Sequence, residues 1–180
     1  SQSDENLPAT KLLVERAAPQ AAVMSREITA MINAEKKLAA TGERKALLAA
    51  MADVRGSLGL GLANIRAFLL TRDDGFRQKF GDNWATNTTR VAYLQQRQDL
   101  LTASQAAAFK RFSAAREIFA PLPPQMFAIR ASDEWNLANA WLATRAVPVA
   151  AAIGATLDAM IENQQGLMDA DAELARAAVS

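Results

Sequence analysis

Neither cysteine nor histidine occurs in the 180 residues. The first absence removes disulfides, thiol nucleophiles and thiolate zinc sites. The second removes histidine-based triads, His-ligated haem and the Glu-x-x-His motif of di-iron bundles. A paired-carboxylate hydrolase is the enzyme class left standing, and carboxylates spread along helices are expected to be surface charges. The expectation is therefore no enzyme, no cofactor and no metal. A dominant charge is lacking too: 20 basic against 19 acidic side chains leave net +1, with no basic field for nucleic acid and no acidic tail. Uninterrupted runs of about 20 apolar residues and a basic-then-apolar leader are missing, so no segment within the chain is expected to cross a membrane. The opening SQSDEN, without an initiator Met, reads as an excerpt from a longer protein.

Glycine (8) and proline (6) are scarce, and β-branched runs are missing, while alanine is abundant. That balance favours helix almost everywhere, and an apolar share of 51% suffices for a core. The fold class expected is all-α. Leu47, Met51, Val54, Leu58, Ile65 and Leu69 recur at steps of three and four, with Gly61 and Leu62 between, as in a bundle seam. Upstream, Leu12, Val23, Ile28, Met31, Ile32 and Leu38 extend the stripe from a start at Pro8, with a kink or break expected at Pro19.

Two interruptions decide the topology, Thr41-Gly42 and TRDDG at 71–75. The second has fuller turn chemistry, and a single mid-helix glycine costs only about 1 kcal/mol, so the first helix is expected to run through Gly42. A second helix follows on Phe76, Phe80, Trp84, Val91, Leu94 and Leu101, and a third, capped near Thr102 and Ser104, on Phe109, Phe112, Ile118 and Phe119. APLPP at 120–124 is a breaker. Beyond it, Ser132-Asp133-Glu134 caps a long fourth segment with Trp135, Trp141, Leu142, Val149, Ile153, Leu157, Met160, Ile161, Leu167 and Met168, kinked at Pro148. These lengths predict an elongated antiparallel four-helix bundle over 43–147. A two-helix stem, 5–42 and 148–179, completes the single module 1–180. A two-helix stem encloses no core alone, so a homodimer is expected to complete it.

IRAFLLTRDDGFRQKF at 65–80 resembles the Arg-aromatic-Leu-Leu-Thr-Gly-Asp signature that ends the first helix of CHASE-type extracellular helical sensor domains of the third class. LTASQAAAFKRF and SDEWNLANAWLATRAVP are similar to later segments in the sensor regions of methyl-accepting chemotaxis proteins and related kinases. The likeness covers about residues 45–170, and Arg72 departs from it where the signature usually has glycine. It implies a periplasmic region between two transmembrane helices outside this chain. A small ligand bound in the distal bundle would shift helices and signal to a cytoplasmic half. Histidine-kinase sensors share the shape, and a helical protein-interaction module with no small ligand is the alternative class.

Arg55 and Arg66 lie eleven residues apart on one helix face, and Arg116 and Arg145 are candidates to face the bundle from other helices. Guanidinium groups suit a carboxylate ligand; the competing reading has them solvated or paired with Asp53, Asp133 or Glu134. Trp135, Asn136, Asn139 and Trp141 offer a ring wall and orienting amides, or else core and surface positions. The ligand is expected between Arg66 and Trp135/Asn139. Asp73, Asp74 and Asp82 lack the spacing of a calcium loop and read as a solvated tip.

Overall fold

The computed structural model describes residues 7–179, with the backbone alone at 134 and 169–179. Residues 5 and 6 of the expected stem, and the Glu134 side chain expected as cap or ion-pair partner, lie outside the described residues. The chain is all-α, with no strand among the described residues. It divides into two units, 1–136 and 137–180.

The first rod of unit 1 joins α1 (Pro8–Leu12) and α2 (Ala18–Glu35) through a π-turn at Leu13–Ala17. Pro19 donates no N–H to the carbonyl of Glu15, four residues back, and the widened turn absorbs that lost bond without breaking the rod. The chain then turns. Thr41 caps α3 (Gly42–Thr71), its hydroxyl accepting from the Arg44 N–H at 3.3 Å. The expected continuous helix through Gly42 is thus corrected. The bond that decides it is tertiary: Arg44 Nε and Nη2 donate to both oxygens of the buried Glu35 at 2.8 Å, while Gln105 Nε2 reaches the same carboxylate at 2.6 Å. That clamp closes only if the chain reverses between 35 and 42, and residues 8–35 accordingly fold back alongside α3 instead of extending it.

At the far end α3 stops on Arg72, the one positive φ among the described residues (φ 61°). Asp73 then caps α4 (Asp74–Gln96), accepting from the Gly75 N–H at 2.8 Å. The turn forms where TRDDG placed it, with Arg72 rather than Gly75 in the left-handed conformation. Thr102 and Gln105 form a reciprocal capping box at the start of α5 (Ala103–Phe119). Pro121 separates α5 from α6 (Leu122–Ala131). The four rods pack antiparallel, α1–α2 against α5–α6 and α3 against α4. Met24, Ile28, Met31, Leu47, Met51, Ile65, Leu94, Phe112 and Phe119 are fully buried between them.

Unit 2 is one helical run: α7 (Leu137–Trp141), a π-turn at Leu142–Ala146 and α8 (Val147–Val179). Pro148 stands as far beyond its π-turn as Pro19 does beyond the other, for the same reason. Leu142, Val149, Ile153, Leu157, Met160, Ile161 and Leu167 are all more than half exposed. Two helices, Gly42–Thr71 and Leu137–Met168, are long and apolar enough to cross a membrane by length and composition, against the sequence expectation. The first buries 39% of its apolar window among the other rods. The second carries Arg145 and Asp158, and the uncharged stretch between them is about 18 Å long, shorter than the roughly 30 Å hydrocarbon layer.

Candidate functional site

At the end of unit 1 where α3 finishes, the start of α1, the last turns of α3, the last turn of α6 and the 3-10 turn Asp133–Trp135 line a half-open cavity of about 460 Å³. Its walls on one side are apolar, chiefly Leu13, Leu69 and Leu70; its polar groups are Thr10, Arg66, Arg130 and the buried Asn136. A volume in this range suits a small organic ligand.

Arg130 is the most constrained of these groups. Its Nε donates to the Leu69 carbonyl at 2.7 Å, closing the gap between α6 and the tip of α3. Its guanidinium carbon lies 4.3 Å from the centre of the Trp135 ring, a cation–π contact. Its Nη1 is buried with no hydrogen-bond partner. A charged donor left so costs more than a neutral one. Burial, and then the charge of Arg72, push Arg130 below the ordinary guanidinium value. It remains a cation near neutral pH, because a guanidinium does not lose its proton in that range.

Two further arginines converge here. Arg66 is exposed at the cavity rim, and Arg72 donates through Nη2 to the Ala131 carbonyl at 3.3 Å. Among the described residues none of Arg66, Arg72 and Arg130 forms an ion pair; the six that form join other side chains. Arginines outside the ion pairs of the described residues, beside an apolar wall, offer a place for an organic anion.

Of the residues singled out from sequence, Arg66, Trp135 and Asn136 line this cavity and the rest do not. Arg55 is exposed on α3, and its neighbour Asp53 pairs with Arg90 at 2.9 Å. Arg116 does face between the rods, but it is already engaged: Nε donates to Asn87 Oδ1 at 3.1 Å, Nη2 to Thr88 Oγ1 at 2.7 Å, and its guanidinium lies 4.5 Å from the Trp84 ring centre. Asn87 in turn donates to the Val54 carbonyl and to Ser57 Oγ, so this is a polar layer tying α3, α4 and α5 together. Burial lowers the Arg116 pKa. Arg145 and Asn139 belong to unit 2, where both are exposed, Arg145 in a shallow groove along its own helix with Trp141 and Ile153. Asp73 caps α4 and Asp74 pairs with Arg77 at 3.2 Å; no metal-holding cluster of acidic residues occurs among the described residues.

Arg130 and Thr10 were not anticipated. The signal for Arg130 lay in its place five residues before Trp135, beyond a proline-bounded helix whose last turn had to face the α3 tip. Comparison with family models, with curated proteins and with solved structures finds no match for this chain.

Proposed function

We propose that this chain is the extracytoplasmic sensor domain of a transmembrane chemoreceptor, a four-helix bundle that binds a small carboxylate at the Arg66–Arg130 cavity. The observation that carries the reading is that Arg66 and Arg130 line one cavity beside leucine side chains, and neither forms an ion pair among the described residues. The transmembrane helices lie outside this chain, and the domain is periplasmic. Signalling follows from the same joint. Arg130 bonds Leu69 and Arg72 bonds Ala131, so α3 and α6 are tied at the cavity, and an anion drawing on Arg130 biases how the two rods sit. A histidine-kinase sensor would use the same device with a different output half.

The test is a thermal-shift screen of small carboxylates on the chain, followed by calorimetry. A ligand at 100 times its dissociation constant stabilises by about 2.7 kcal/mol. Arg66→Ala is expected to weaken binding by about 1.5–3 kcal/mol while the far-UV spectrum stays helical. Unchanged affinity in the folded variant sets Arg66 aside, and a screen in which no carboxylate shifts the transition removes the ligand reading.

A second reading, a helical module that docks on a protein, draws support from one feature, the exposed apolar stripe of Leu142–Leu167. Within the receptor reading that stripe serves a parallel homodimer. Sedimentation over a wide concentration range separates the two, self-association supporting the receptor and strict monomer the docking module.

A further inference from the structure

We infer that the ligand of this cavity is an amphipathic monocarboxylate, one carboxylate on a compact ring or branched alkyl body, and neither a dicarboxylate nor an inorganic oxyanion. This rests on the preceding reading of the cavity as a ligand site. The cations are Arg66 and Arg130, and the other polar side chains, Thr10 and Asn136, are neutral. A second carboxylate directed away from the arginines would meet leucine and alanine side chains and pay its desolvation with no cation to offset it. Phosphate or sulfate has the charge for the arginines but no apolar surface to place against Leu13, Leu69 and Leu70, so it leaves most of the wall unused. The arrangement at Arg130 also favours a single carboxylate. Nε is committed to the Leu69 carbonyl, Nη1 is closed off from solvent, and the guanidinium carbon lies 4.3 Å from the Trp135 ring centre, which leaves Nη2 for one carboxylate oxygen. The indole beside it continues the apolar wall as a flat surface.

Calorimetry on the full chain with five probes tests this: benzoate, cyclohexanecarboxylate, benzyl alcohol, succinate and inorganic phosphate. Benzoate or cyclohexanecarboxylate is expected to bind at least tenfold more tightly than each of the other three. Arg130→Gln should lower that affinity tenfold or more. Leu70→Asn, at a position 81% exposed and so tolerant of the change, should lower it severalfold. Should Arg130→Gln disturb folding, Arg66→Gln at the exposed rim provides the charge test. Succinate or phosphate binding as tightly as benzoate overturns the ligand class while the anion site stands. Benzyl alcohol binding equally overturns the role of the arginines, and affinities indifferent to all three substitutions overturn the location. Failure of every probe to bind removes both the class and the site.

Discussion

Arg72 holds a backbone conformation that favours glycine, at φ 61° and ψ 14°, where its Cβ crowds the neighbouring carbonyl. Arg72→Gly is therefore expected to stabilise the fold by about 0.5–1 kcal/mol, read as a higher urea midpoint at unchanged slope. The hydrogen bond lost with it, to the Ala131 carbonyl, is long and exposed, so it offsets little. A lower midpoint would show that this contact outweighs the strain. Glu27 sets a second expectation at this scale. It is buried, and Arg111, bonded at 3.0 Å through Nε, lowers its pKa most; burial opposes, and Arg26 adds to the lowering. A carboxyl whose folded pKa is depressed contributes stability that is present above its unfolded value and lost as pH falls through the folded one. Glu27→Gln should thus lower stability at neutral pH and flatten its fall below the ordinary carboxylate range, in a denaturation series run across acidic pH. A slope unchanged from wild type would assign the acid sensitivity to other groups.

Among the elements, the reversal between α2 and α3 rests on Glu35. Its carboxylate accepts two bonds from Arg44 and one from Gln105, and Arg44 also donates to the Leu100 carbonyl at 3.1 Å, so the residue joins three rods at one end of unit 1. Glu35→Ala leaves Arg44 and Gln105 without their acceptor. Removing one partner of a mostly buried pair costs about 3 kcal/mol, and a loss of that size in chemical denaturation is expected. Thr41→Ala, which removes only the cap, should cost about 1 kcal/mol. Equal losses from both would mean that the clamp holds the turn no more firmly than the cap does. In the sequence the turn was half visible. Thr41 reads as a cap once the chain is known to reverse, but Gly42 alone can be absorbed in a helix, and nothing local ties residue 35 to residues 44 and 105.

For the whole molecule, unit 1 has a core of its own and unit 2 exposes its large side chains. A fragment ending at residue 136 is expected to unfold cooperatively with the four rods intact, and to self-associate less than the full chain in sedimentation. A fragment that loses cooperativity would show that unit 2 is required by the core of unit 1.

The sequence by itself determined the class and most of the punctuation. Absent β-branched runs and abundant alanine dictate helix; Thr102, Asp73 and the APLPP break mark ends by chemistry confined to a few neighbouring residues; Leu47, Met51, Val54 and Ile65 announce a buried face by spacing alone. Arg66 and Trp135 were reachable too, since an arginine and a ring near matching ends of antiparallel rods fall at one height. Tertiary structure alone decided the rest. Whether a helix passes through Gly42 depends on an ion pair across a turn. Whether an arginine is a site or a strut depends on what faces it, Asn87 and Thr88 for Arg116, the cavity for Arg66. Helical periodicity reports which face of a rod is apolar, and the energy that distinguishes these outcomes lies between rods, in partners that are far apart along the chain.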